Sequence, residues 1–365
     1  MKFNLDVLDE SEKIMFALRT LYSSKGYERY RMSKFEEYDL YVRNKDFLIS
    51  DRIITFTDTN GKLLALKPDV TLSIINNFSA NNSPVQKMYY NENVYRVSGS
   101  TGKFKEIMQT GLECIGKIGI YEITEVVYLA VRSLALIDDN FAVELSHAGL
   151  LQSLFDDMKI NESTRDSVSE CIRIKSSGKT DELLSEGKIS DTQADFIRTL
   201  YANYSSINAF CEAVSEFYLS EESKRLLREF SDIFAGAASG RDKEKLFVNF
   251  SISADAGYYS GVVFKGYING IPESVLSGGQ YDSLMKKLGS QGSAIGFAVY
   301  LDSFERFGVS MPEYDVDTVL LIGENDDPVS VLRKVEELRE EGGSVSVRAS
   351  LPDDIRYRRV IKTEA

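Results

Sequence analysis

The chain has 365 residues, 43% hydrophobic and 27% charged, enough apolar material for two or three domains at about one per 150 residues and too much for a disordered chain. Lys and Arg number 43 against 56 Asp and Glu, so the net charge of -13 repels phosphate backbones and anionic membrane surfaces, and a nucleic-acid role would need a local basic patch. A single histidine, His147, excludes histidine-cluster metal sites, and three distant cysteines, Cys114, Cys171 and Cys211, exclude a CxxC pair and a disulfide framework.

No apolar run approaches the ~18 residues of a membrane span, and Met1-Lys2-Phe3-Asn4 lacks the order of a secretory signal, so a cytoplasmic location is expected. Ile14, Leu18, Leu21 and Tyr22 recur at helical spacing behind Ser11, which predicts an amphipathic helix over 11–25 capped by that serine. The stretches 52–57 and 62–66 flank Asp58-Thr59-Asn60-Gly61, whose Asn-Gly step predicts a β-hairpin. After Pro68, Asp69 is placed to cap a helix from Val70 to Phe78. Strands are expected over 85–97 and 105–116, joined by the loop 98–103, then a long helix over 121–137 with Val126, Val127, Ala130 and Leu134 inward. In the apolar-leaning stretch that follows, His147 reads as a packed core histidine.

From 160 to 245 the chain is polar, helical in period and poor in strand signals, which predicts a separate helical insertion. Strand patterns return at 246–252, 258–268 and 293–302. After Pro312, Thr318 to Ile322 predicts a buried strand, Asp327-Pro328 opens a helix ended by Gly342-Gly343, and a final strand covers 344–349. The basic end with Arg356, Arg358, Arg359 and Lys362 reads as solvated. The division is a discontinuous core of 1–159 with 246–311, the insertion 160–245 and a small α/β unit 312–365.

Two phosphate-binding signatures fail. In the loop 98–103 the first glycine of a P-loop would fall on Val97, and Phe104 replaces the hydroxyl residue that binds magnesium; Gly289-Ser290-Gln291-Gly292 lacks a strand–GxGxxG–helix order. No cofactor or metal site is read. Asp69, Thr71, Gln109 and Glu113 supply acceptors suited to an ammonium and an imidazole N–H, and Tyr258, Tyr259 and Tyr281 supply ring walls. Each has a plainer use alone: a helix cap for Asp69, a solvated strand position for Glu113, core packing for the tyrosines.

Together, and in order, Leu66-Lys67-Pro68-Asp69-Val70-Thr71, Asn93-Val94-Tyr95-Arg96, Gln109-Thr110-Gly111-Leu112-Glu113, Gly257-Tyr258-Tyr259-Ser260-Gly261, Gly278-Gly279-Gln280-Tyr281-Asp282 and Ala294-Ile295-Gly296-Phe297-Ala298 resemble the catalytic core of histidyl-tRNA synthetases. The resemblance covers most of 10–150 and 246–305. It implies an α+β fold, a class II antiparallel sheet flanked by helices. It also implies that Asp69, Thr71 and Gln109 hold an α-amino group, that Glu113 and Tyr259 face an imidazole, and that Arg96 matches an ATP-contacting arginine.

Departures alter the expected chemistry. In the synthetases an arginine four residues before the tyrosine pair helps activate the substrate carboxylate, and that position is Ala254 here. A second arginine, which clamps the ATP phosphates, is replaced in Asp302-Ser303, and Arg306 lies about a helical turn away. Losing two preorganised donors at ~2.7–4 kcal/mol each suppresses adenylate formation by roughly four to six powers of ten if additive. The synthetases also carry a full anticodon-binding domain where only 312–365 follows.

These features resemble the family of ATP phosphoribosyltransferase regulatory subunits, paralogues of the synthetases. That resemblance implies a non-catalytic role in the first step of histidine biosynthesis, a short-form catalytic subunit as partner, a homodimer within a hetero-oligomer, and L-histidine as a feedback ligand. Two alternatives are a working histidyl-tRNA synthetase or related amino-acid-activating ligase, and an RNA-binding synthetase paralogue.

Overall fold

A computed structural model describes residues 8–44, 53–77, 85–97, 102–238, 241–253, 259–289, 292–307, 314, 316–323, 326–340, 343–351 and 355–362. The chain divides into two compact units, Met1–Gly308 and Val309–Ala365. The first half of the larger unit runs α1 (Glu10–Ser24), β1 (Glu28–Arg29), β2 (Phe35–Glu37), α2 (Tyr38–Val42), β3 (Thr55–Thr57), β4 (Leu63–Leu66), α3 (Thr71–Asn76), β5 (Val85–Val97), β6 (Phe104–Gly116), α4 (Ile120–Ile137) and β7 (Phe141–His147). Five helices follow: α5 (Ala148–Asp157), α6 (Glu162–Arg173), α7 (Ser177–Ser185), α8 (Asp191–Tyr201) and α9 (Ile207–Val214), with α10 (Glu221–Ala237) after them. The unit ends with β8 (Leu246–Val248), β9 (Val262–Ile268), β10 (Leu276–Gln280), α11 (Asp282–Lys287), β11 (Ser293–Tyr300) and α12 (Leu301–Phe307).

Among the described residues, eight strands form one sheet in the order β1-β5-β6-β11-β10-β9-β7-β8. Its centre is antiparallel throughout, from the 13-residue pairing of β5 with β6 across β11, β10 and β9 to β7. One face carries Leu112, Cys114, Ile295, Phe297, Phe264 and Leu145, all at 2% exposure or less, in a single apolar cluster with α1, α4 and α5. The residues between 162 and 237 also belong to that cluster, and α10 packs on α4 and α5. These helices and the sheet thus share one apolar cluster. A second apolar cluster joins α3 and α11 to the opposite face through Tyr90, Val94, Ile115 and Tyr281.

Most local expectations match, with physical reasons for the exceptions. Helix α1 is capped by Asp9, whose side chain accepts the Glu12 amide while Glu12 reaches back to the Asp9 amide; Ser11 is buried inside the first turn and donates to Asp9. The hairpin of β3 and β4 turns at Gly61 with φ of 82°. The strand expected over 246–252 stops at Val248, because Asn249 caps a 3-10 turn at Phe250–Ile252. All three cysteines are free thiols, Cys114 and Cys171 buried and Cys211 half-buried.

In the smaller unit β12 (Val316–Leu321), β13 (Val345–Arg348) and β14 (Tyr357–Lys362) form a parallel sheet ordered β13-β12-β14, and α13 (Pro328–Glu340) connects β12 to β13. Leu320, Val331 and Leu338 make its core. The basic end forms strand β14, and Arg356, Arg358, Arg359 and Lys362 are exposed as expected, with Arg359 donating Nε to Thr318 Oγ1 at 2.8 Å.

Candidate functional site

The candidate pocket lies on the face of the large sheet opposite α1 and α4. Period-two alternation puts Gln109, Gly111 and Glu113 of β6 on this face, with Gly296, Ala298 and Tyr300 of β11 and Ser277 and Gly279 of β10 beside them in register. Three glycines make room for large polar groups to lie flat on the sheet. A Cβ at Gly111 would collide with the Tyr90 hydroxyl, one at Gly296 with the Glu113 carboxyl, and one at Gly279 would come within 2.6 Å of the Tyr259 ring. The sheet centre is therefore carpeted by phenols and a carboxyl instead of aliphatic side chains.

The segment Lys67-Pro68-Asp69 brings a second acid over that carpet. Its backbone is tied to β5 by the Tyr95 amide, which donates to the Lys67 carbonyl at 2.9 Å, and by Arg96 Nε, which donates to the Pro68 carbonyl at 3.0 Å. Lys67 is fully buried and pairs with Glu92 at 2.8 Å, so the ammonium is removed from water only with its counter-charge. Asp69 then accepts the Leu72 amide at 2.8 Å, as expected of a residue opening a helix, and its other oxygen lies 4.0 Å from Arg96. In the first turn of α3, Thr71 donates to Glu113 Oε1 at 2.8 Å.

Glu113 also accepts the Tyr281 hydroxyl on its other oxygen. Its side chain is 1% exposed, and burial pushes the carboxyl up to about 8; the Tyr281 and Thr71 hydroxyls hold it down in part while Asp69 pushes it further. Burial likewise raises the Asp69 carboxyl, against the Arg96 charge and the Leu72 and Thr71 amides. The Tyr90 and Tyr259 phenols are raised, first by burial and also by the charges of Glu113 and Asp69. Two carboxyls with no fully paired cation between them suit a cationic guest, whose charge would favour their ionised forms.

The structure thus brings together Asp69, Thr71, Glu113, Tyr259 and Tyr281, and buries Gln109 on the same face, opposite Glu92 and Tyr300. Tyr258 and Ala254 lie outside the described residues, as does the side chain of Arg306. Ser303, expected from the resemblance to stand at the phosphate-clamp position, is buried and donates to Glu273 at 3.1 Å. His147 is buried as expected, and it caps α5 by accepting the Leu150 amide on Nδ1 at 3.0 Å. Among the described residues no His, Cys, Asp and Glu group could hold a metal ion, and no helix is long and apolar enough to cross a membrane. Tyr90 and Tyr300 were missed in the sequence, although both follow from stepping by two along β5 and β11 from residues facing the glycines.

An antiparallel sheet carrying a buried acid, a motif-borne Asp-x-Thr and a Tyr on the same face defines a class II synthetase-like core, and the histidyl-tRNA synthetase family model matches residues 6–304. An ATP phosphoribosyltransferase regulatory subunit of Clostridium botulinum (Langeland strain) is 30% identical over 312 residues, covering 81% of this chain and 73% of the relative. The crystal structure of an ATP phosphoribosyltransferase regulatory subunit/histidyl-tRNA synthetase from Bacillus halodurans superposes with a TM-score of 0.76 at 23% identity, covering 99% of this chain and 96% of that one. A chain of the ATP phosphoribosyl transferase (HisG:HisZ) complex from Thermotoga maritima superposes with a TM-score of 0.63 at 18% identity, over 80% of this chain and 97% of that one. Both superpositions speak to the fold. The chain belongs to the histidyl-tRNA synthetase family and, within it, to the ATP phosphoribosyltransferase regulatory subunits.

Proposed function

We propose that this chain is the non-catalytic regulatory subunit of ATP phosphoribosyltransferase, acting in the first step of histidine biosynthesis by activating a short-form catalytic subunit and conveying feedback by histidine. The regulatory role follows from the family. The pocket is read as the histidine site, the class II core as the seat of a homodimer within the hetero-oligomer, and the cytoplasm as the location.

One observation carries the pocket reading: Thr71 and Tyr281 converge on the two oxygens of a buried Glu113 with Asp69 alongside, an acid-rich cluster suited to an ammonium and an imidazole. The residues read as recognition groups lie together, while Ser303, which is buried, and Ala254 in the sequence stand where the resemblance to the synthetases implies the clamping and activating arginines. That contrast supports binding without adenylation. Regulation then requires histidine to favour one quaternary state, since equal affinity for both states would shift nothing.

The test is co-expression with a short-form catalytic subunit. Co-purification and gain of phosphoribosyl transfer are expected, with no histidine-dependent ATP–pyrophosphate exchange by the chain alone. Glu113→Ala and Tyr259→Ala should shift histidine inhibition more than basal activation. Robust exchange would return the chain to the working synthetases, and unchanged inhibition curves in both variants would remove histidine from this pocket.

A further inference from the structure

An α-amino acid carries a carboxylate as well as an ammonium, and an acid-rich cluster cannot hold that end by charge. This inference rests on the reading of the pocket as an amino-acid site and adds its missing anion subsite. Most nearby cations are committed to protein acids or carbonyls. Arg96 lies 4.0 Å from Asp69 and donates to Pro68, Lys67 is buried against Glu92, and Lys105 is 3.8 Å from Asp302.

Lys265 differs. It lies two residues beyond Val263, whose register partner is Gly279, so alternation puts its half-buried side chain on the face that carries Glu113 and Tyr259. Gly266, next to it, faces Leu134 on the other side of the sheet. Lys265 forms no ion pair among the described residues. Its cross-strand neighbour Glu144 is occupied, accepting Asn249 Nδ2 at 2.7 Å and hydrogen-bonding to Tyr267.

Its neighbour on the pocket side is Ser277, whose hydroxyl shares a 2.5 Å hydrogen bond with the Tyr300 hydroxyl. Two hydroxyls so joined use one proton between them and keep one to donate. A lysine ammonium and a hydroxyl proton are thus offered from adjacent strands, about 4.8 Å apart at the backbone. Lys265 and Glu113 stand three strands and two residues apart, about 16 Å between backbones, and Glu113 leans over Gly296 on the side nearer Lys265. On this face of the sheet the donors stand toward β9 and the acids toward β6.

The geometry points to Lys265, with Ser277 and Tyr300, as the subsite that binds the carboxylate of the amino acid held at Asp69 and Glu113. The acid end takes the ammonium and the ring; the donor end takes the carboxylate through charge-assisted hydrogen bonds.

Calorimetric titration of the full chain with L-histidine and with histamine, which keeps the ring and amine but lacks the carboxylate, reads this directly. The native chain should bind histidine roughly ten- to a hundredfold more tightly than histamine. Lys265→Met should erase that preference by weakening histidine alone, with histamine affinity within about twofold, which also reports an intact fold; Tyr300→Phe should reduce the preference partly. Equal losses for both ligands, an undiminished preference in Lys265→Met, or a native chain that binds both ligands alike would overturn the subsite while leaving the pocket. A native chain that binds neither ligand would overturn the pocket reading, and the subsite with it.

Discussion

The two faces of the central sheet are built from the same strands and obey opposite rules. On the helix-covered face, Leu112, Cys114, Ile295 and Phe297 alternate with residues that point away and exclude water completely. On the pocket face the intervening positions are Gly111, Glu113, Gly296 and Ala298, chosen for clearance and hydrogen bonding. Folding free energy comes mainly from the first set and recognition from the second, because apolar burial is non-directional whereas a polar site needs particular atoms at particular places. Adjacent residues of one strand should therefore fail in different ways when substituted.

The largest expected effect is on the helix-covered face. Leu112→Ala leaves a cavity in the principal core and should cost about 2–5 kcal/mol, seen as a lower urea midpoint, with histidine affinity of the folded fraction unchanged within about twofold. A large affinity loss there would blur the division. Across the same ladder, Gly296→Ala drives a methyl into the Glu113 carboxyl and should cost about 1–3 kcal/mol through overpacking. Its distinguishing mark is loss of histidine binding by more than about tenfold in protein that still folds; retained affinity would show that Glu113 need not lie over Gly296.

The asymmetry also explains what could be read from the sequence. Elements whose hydrophobic period serves the core, such as α1, α4, β5 and β6, are legible within a residue or two of their ends. Strand β10 escaped notice because Gly278 and Gly279 have low strand propensity, and they are there to clear space for Phe297 and Tyr259. Strand β14 was hidden by its exposed arginines, one of which hydrogen-bonds to Thr318 on the neighbouring strand. In the pocket, the motif residues Asp69, Thr71 and Glu113 were legible by type and order. Tyr300 and Lys265 were not, since a lone Tyr or Lys on a strand signals nothing until register shows which neighbours it meets.

Titration sharpens the comparison further. Glu113, on the pocket face, is pushed by burial from 4.5 to about 8, so between those values the folded state keeps a proton that the unfolded chain releases, and stability falls as pH rises. Glu113→Gln should remove that decline, on the order of 1 kcal/mol per pH unit, and histidine binding by the native chain should release protons, read as a buffer-dependent binding enthalpy. A pH profile unchanged by Glu113→Gln would mean that the carboxyl is already ionised in the empty pocket.

His147 supplies the smallest and most diagnostic effect. Burial, aided by Arg225, holds its ring down at about 4 against 6.5 when free, so between those values the unfolded chain binds a proton that the folded state refuses, and stability rises with pH. Nδ1 serves as the cap acceptor and Nε2 has no partner among the described residues, so Asn at this position keeps an acceptor for the Leu150 amide and removes an unpaired donor. His147→Asn should therefore change stability at pH 7.5 by no more than about 1 kcal/mol. From pH 4.5 to 6.5 the His147 and Glu113 contributions to stability have opposite signs and offset each other. Relative to the native chain, His147→Asn should make the slope of stability with pH more negative and Glu113→Gln should make it more positive, in chemical denaturation series across those values. If both variants keep the native slope, neither group is the buried neutral species that its position on the sheet requires.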